Sequence, residues 1–204
     1  MAGKQAKILS KQQQRLALAY LDGTRWPERN RVMFLLSVKA GLRSKEIAAL
    51  SMWNVADWEY QVLDFIEITD KDSKGKKGGR KIPLNQQLKE ELQILIDQVR
   101  TLPNGSDPSM PIIRSERAGR TEKTSPQVIT NWFKRLYGPA GLNFAGCSSH
   151  SGRRTFGTMA ARNISAAGGS LKDVKYLMGH SSIQTTQTYI DETEEAKRNV
   201  VNMI

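Results

Sequence analysis

The chain holds two histidines, and both stand in settings suited to anion chemistry. His150 opens the run His150-Ser151-Gly152-Arg153. At the start of a helix, an imidazole and a guanidinium three residues apart share one face and can address one phosphate together. His180 stands in Gly179-His180-Ser181-Ser182, with Tyr189 nine residues further on. A His–Arg pair at that spacing also arises on ordinary solvated helix faces, so its weight comes from what accompanies it. The chain carries 31 Lys+Arg against 20 Asp+Glu, a formal net charge of +11. Such an excess favours a polyanionic partner, nucleic acid first, because clustered cations attract phosphates and release their counterions. An anionic membrane surface is the competitor, but no long amphipathic stretch joins a basic face to an aromatic one.

Other chemistries fit poorly. Asp70-Lys71-Asp72-Ser73-Lys74-Gly75 has the outline of a calcium loop, yet lysines fill its fifth and twelfth positions, Lys74 and Lys81, where oxygen ligands are required. The Gly75 to Gly79 turn lacks the Gly-Lys-Ser/Thr ending of a nucleotide-binding loop. Cys147 is the single cysteine, so it forms no intramolecular disulfide and completes no zinc set; a small, partly buried residue is expected there. Neither a metal site nor a cofactor is expected. In 204 residues, 39% hydrophobic, there is material for one core; disorder and a disulfide-stapled miniature are excluded. The longest apolar stretch, Val32 to Leu36, is far shorter than the ~20 residues of a membrane span. The first fifteen residues have no apolar signal core, so a cytoplasmic protein is expected.

These candidate residues need elements to hold them. Ser10 caps a first helix running to Leu21, Pro27 starts a second, and Gly41 breaks it before Arg43 to Leu50 resumes helical spacing. Tyr60 to Thr69 and Arg80 to Leu84 flank a Lys/Gly turn as a hairpin with a basic tip, and Met110 to Ile113 is a candidate third strand. Helices follow over Leu88–Val99, Pro126–Leu136, His150–Ala161, Leu171–Met178, Ile183–Tyr189 and Glu192–Val201, giving a mainly α fold with a small antiparallel sheet (α+β). Trp26, Trp53, Trp58 and Trp132 are expected in the core, Trp132 on a stripe with Val128, Ile129 and Phe133.

The boxes Gly41-Leu42-Arg43-Ser44-Lys45-Glu46, His150-x-x-Arg153 and Leu177-Met178-Gly179-His180 through Tyr189, in this order and spacing, closely resemble the catalytic domain of the tyrosine recombinases, the phage integrase family. Each box alone is a weak signal; together they are specific. The resemblance runs from the first helix to the last. It implies phosphoryl transfer from DNA to a tyrosine and back. Arg43 and Arg153 would clamp the non-bridging oxygens, His150 would assist proton transfer, His180 would bond the phosphate, and Tyr189 would be the nucleophile. A hairpin lysine would protonate the leaving 5'-oxygen, with Lys74 favoured and Lys76 second. Lys76, Lys77, Arg80, Lys81 and Arg154 are the expected DNA contacts. An acidic residue at the Glu46 position helps hold the first arginine in the family, although an ordinary intrahelical ion pair at that spacing is worth only ~0.5 kcal/mol.

The chemistry suits those residue types. A phosphodiester repels nucleophiles, and its trigonal-bipyramidal transition state gathers charge on the equatorial oxygens. Arginine keeps its proton and offers a planar fork, each such preorganised donor contributing on the order of 3 kcal/mol. A free phenol ionises near pH ~10, so a tyrosine nucleophile must shed its proton as it attacks. The covalent phosphotyrosine conserves the energy of the broken bond, so religation needs neither ATP nor metal. Residues 1–204 are expected to be a single catalytic domain without the family's separate N-terminal DNA-clamping domain. The partners implied are double-stranded DNA and further copies of the chain, a tetramer on DNA, possible through the C-terminal helix, in the cytoplasm at the nucleoid. The alternative from another class is a DNA-binding regulator with the same fold and idle chemistry.

Overall fold

The computed structural model describes residues 5–69, 79–115, 123–189, 198 and 201–202. The chain divides into two compact units, Met1–Phe156 and Gly157–Ile204. In the first, α1 (Lys11–Asp22) starts at a reciprocal cap: the Ser10 side chain accepts from the Gln13 N–H, and the Gln13 side chain accepts from the Ser10 N–H. Helix α2 (Pro27–Lys39) begins on Pro27, whose missing N–H costs nothing in a first turn. Its run Val32, Met33, Phe34, Leu35, Leu36 is fully enclosed. A helix buried on all sides must sit at the centre of its unit, and α2 packs against both α1 and α4 (Gln86–Arg100).

The same three helices share one ionic tie. Arg31 of α2 bonds Asp22 of α1 at 2.5 Å and Glu91 of α4 through Nε at 2.9 Å and through Nη2. Those two carboxylates, the Glu91 contact foremost, push the guanidinium pKa further up against the opposing effect of burial. Helix α3 (Ser44–Ala49) packs on α5 (Pro126–Tyr137), which buries Ile129, Trp132 and Phe133.

Strands β1 (Phe65–Ile68) and β2 (Arg80–Pro83) form an antiparallel pair with Ile66 opposite Ile82 and Ile68 opposite Arg80. Alternation turns Ile66, Ile68, Ile82 and Arg80 inward. Among the described residues the sheet has two strands. The Met110 to Ile113 segment is not a third: it makes one isolated bridge, Ser51 to Pro111, beside the Ile112 N–H to Leu50 carbonyl bond. Pro111 has no N–H with which to extend a ladder. Trp53 and Trp58 also depart from expectation, standing 67% and 85% exposed in the segment between α3 and β1, Trp53 in a short 3-10 helix (Met52–Asn54) and Trp58 in a turn, and Val128 is exposed on the first turn of α5. Their neighbours Met52 and Val55 point into the core, which turns the two indoles outward, whereas Trp132, on a helix face, is buried.

The second unit is small. Helix α6 (Ser151–Asn163) runs into it from the first, followed by α7 (Leu171–Met178) and α8 (Ile183–Gln187), which pack on each other. The expected Glu192–Val201 helix falls largely on residues outside those described. Among the described residues no helix is long and apolar enough to cross a membrane.

Phe34, enclosed at the centre of α2, sets the scale of core packing. Phe34→Ala is expected to cost about 3–5 kcal/mol, read from chemical unfolding at neutral pH.

Candidate active site

The site residues of the first unit gather around one acid. Arg43 is the N-cap of α3, and its backbone N–H donates to Glu46 Oε2 at 2.8 Å. Its guanidinium reaches Glu46 Oε1 at 3.1 Å. Arg80, delivered by the inward face of β2, meets the same Oε1 at 2.9 Å. Arg153, on the first turn of α6, lies 4.0 Å from Oε2 and donates through Nη1 to the Gly41 carbonyl at 2.5 Å. Three guanidinium groups therefore surround a carboxylate that is 1% exposed.

Burial alone would push the Glu46 carboxyl up, but the Arg80 and Arg43 contacts outweigh it and hold the pKa below its ordinary value. One negative charge against three positive ones leaves a local excess of cation. The exposures differ sharply: the side chains of Arg80 and Arg153 are each 6% exposed, that of Arg43 37%. Arg43 is thus the most accessible of the three. Arg80, expected among the DNA contacts, is buried and pairs with Glu46. The signal was in the strand alternation, since a residue two before an inward Ile82 points inward too.

His150 lies one residue before α6, exposed, and its carbonyl accepts from the Arg154 N–H, so it occupies the expected helix start three residues from Arg153. Arg154 donates to the Ala6 carbonyl at 3.1 Å. Lys81 points outward, 4.5 Å over the Phe65 ring and 4.0 Å from Glu67. Lys74, Lys76 and Lys77 lie outside the described residues. Cys147 is half-buried and forms no disulfide.

The second unit holds the other pair. Helix α7 starts at a Ser170–Asp173 capping box and ends at Gly179, whose φ of 58° lies in the left-handed region. Glycine enters that region without steric cost, which explains the Gly179-His180 dipeptide: the turn aims His180 back toward the helix, with its N–H on the Lys175 carbonyl. The His180 Nδ1 sits 3.0 Å from the Thr186 hydroxyl, a fully buried group of α8. With that hydroxyl donating into Nδ1, the ring proton is on Nε2.

Tyr189 follows α8 in a turn closed by its own N–H on the Thr186 carbonyl. Its half-buried ring stacks on the His180 imidazole, with centroids 5.7 Å apart and planes 9° from parallel. The site residues thus form two constellations, an arginine cluster in Met1–Phe156 and a His–Tyr stack in Gly157–Ile204. Thr186 and Gly157 were not visible in the sequence as site residues. Among the described residues no group of three or more His, Cys, Asp or Glu could hold a metal ion.

Residues 7–196 match the model of the phage integrase family. Over 192 residues the chain is 29% identical to the tyrosine recombinase XerA of Thermococcus onnurineus (strain NA1), covering 94% of this chain and 60% of that protein. It is 29% identical over 191 residues to the tyrosine recombinase XerC of Rickettsia bellii (strain OSU 85-389), covering 90% of this chain and 55% of that one. Among solved structures, the Tn1549 transposon integrase in complex with a circular intermediate DNA shares the fold, with a TM-score of 0.74 at 20% identity over 100% of this chain and 67% of that chain. The chain spans 55–60% of the length of these curated relatives.

The Glu46 cluster predicts an acid-sensitive stability. A carboxyl with a lowered folded-state pKa contributes fully above its ordinary value of 4.5, and the contribution is lost as pH falls through the folded value. Glu46→Gln should cost about 3 kcal/mol in urea unfolding at pH 7, and the gap to the unaltered chain should shrink below pH 4.5. An equal gap at pH 7 and pH 3 would show that the charge at Glu46 is not what holds the arginines.

Proposed function

The chain belongs to the phage integrase family, and on that premise we propose that it is a site-specific DNA recombinase, cutting and rejoining strands through a covalent 3'-phosphotyrosine intermediate. The observation that carries this reading is the arginine cluster around Glu46, which joins an accessible Arg43 to a locked Arg153. A surplus of fixed guanidinium charge is what a pentacovalent phosphorane needs and what a protein core otherwise avoids.

In the proposed reaction the Tyr189 oxygen attacks a backbone phosphorus and loses its proton. The bond from phosphorus to the 5'-oxygen breaks, and the DNA 3'-phosphate becomes esterified to the ring oxygen. His150 assists the proton's departure. His180 donates to a non-bridging oxygen through Nε2, its tautomer set by Thr186. Arg43 and Arg153 carry the charge of the equatorial oxygens. Lys74, or Lys76 in its place, protonates the leaving 5'-oxygen. A 5'-hydroxyl from a second strand then attacks the phosphotyrosine, and the same steps in reverse restore the tyrosine.

The proposed substrate is double-stranded DNA, with Lys81 at the outer face of the hairpin and Lys76, Lys77 and Arg154 as further phosphate contacts. The proposed working form is a homotetramer on DNA, acting in the cytoplasm at the nucleoid.

A nicked suicide DNA bearing a site that the chain binds tests the reading. The unaltered chain should form a covalent adduct on the 3' side of the break. Tyr189→Phe should bind and form none, and Arg153→Ala should lose cleavage by at least ~100-fold. No adduct from the unaltered chain on DNA it binds would contradict the proposal and favour a DNA-binding regulator with idle chemistry. With a 5'-bridging sulfur, which leaves without a proton donor, cleavage should recover in whichever of Lys74→Ala and Lys76→Ala has lost the general acid.

A further inference from the structure

Helix α6 carries a glycine where a side chain would be easier to accommodate in the helix itself. Gly157 is buried within Ser151–Asn163, and glycine in a helix interior is destabilising by about 1 kcal/mol relative to alanine. The reason lies in what passes beside it. A Cβ built on Gly157 would stand 2.9 Å from both Cδ1 and Cε1 of Tyr189 and 3.0 Å from Cε of Met178. Ordinary carbon–carbon contact begins near ~3.5 Å, so even a methyl group would have to push the ring aside. Met178 is fully buried and moves less freely than a surface methionine. On its face, the same ring is stacked on His180, whose Nδ1 is engaged by Thr186.

We propose that Gly157 is a positioning residue for Tyr189, its missing side chain forming the seat of the nucleophile's ring. This deepens the recombinase reading and rests on it. Helix backbone at 157 and imidazole at 180 bound the ring, so the turn after α8 delivers the phenol in one orientation rather than many. An alanine would strengthen the helix and misplace the ring by several tenths of an ångström. Misplacements approaching 1 Å at a reacting centre cost up to ~100-fold in rate.

The experiment pairs Gly157→Ala with Tyr189→Ala in the full chain. Thermal unfolding is read for all four combinations, and single-turnover adduct formation is read at saturating suicide DNA for the chains that retain Tyr189. With Tyr189 present, Gly157→Ala should lower Tm; with Tyr189→Ala, where only the Met178 methyl group still meets the new Cβ, the same change should be more favourable by roughly 2–4 °C, the ring's share of the clash being gone. Adduct formation by Gly157→Ala should fall ~10-fold or more while its Kd for DNA stays the same. A fall in stability alone would not produce that split at saturating DNA.

Native cleavage by Gly157→Ala, or a Tm shift that is the same in both backgrounds, would overturn the proposal. If Gly157→Ala fails to fold while the double variant folds, the seat is supported; if neither folds, the ring is not what the methyl group meets and the proposal falls. The two readings separate cleanly. Coupled Tm shifts with no adduct from the unaltered chain would leave the seat standing and overturn recombination.

Discussion

One buried carboxylate holds the first unit's chemistry together. Glu46 is where an N-cap arginine, a strand arginine and a helix arginine converge, and without it three like charges would repel one another in a poorly solvated space. Each guanidinium arrives from a different element, α3, β2 and α6, so the acid also ties those elements to one point. The arrangement costs desolvation on every member. That cost makes little sense for stability alone, since apolar side chains of the same volume would do as well or better. It makes sense if a residual positive charge must be fixed in place before an anion arrives.

In the second unit the constraints bear on one phenol ring. Gly179 turns His180 back, Thr186 engages one ring nitrogen, and the imidazole face then limits how the Tyr189 ring can lie. These constraints are local: 179 to 189 is a stretch of eleven residues, short enough for one turn, one short helix and one more turn to set the geometry. The arginine cluster, by contrast, draws on segments more than a hundred residues apart in the chain.

That difference in range explains what the sequence disclosed. The Ser10 cap, the Pro27 start, the amphipathic 88–99 segment and the hairpin were legible because each depends on a few neighbouring residues. Arg43, Arg153, His180 and Tyr189 were singled out as a set because their order and spacing resemble a family; the structure gathers Arg43 and Arg153 on Glu46 in one unit and stacks His180 on Tyr189 in the other. The burial of Arg80 was not anticipated because a basic residue beside a lysine-rich turn looks solvent-facing until the strand's alternation is carried two residues back from Ile82. Trp53 and Trp58 were misplaced for the opposite reason: their apolar rings suggested a core that Met52 and Val55 of the same segment fill instead. Gly157 and Thr186 carry no local signal, since a glycine in a helix and a threonine in a short turn-flanked helix acquire meaning only from the rings beside them.

The central claim is that this chain makes one phenol attack one DNA phosphate, and chemical mapping of the joined residue tests it most directly. Proteolysis and nuclease trimming of the protein after incubation with cleavable DNA should yield a single modified peptide whose added mass is a 3'-nucleotide phosphate on Tyr189. The same mass on another residue, or on none while the DNA is cut, would contradict the account.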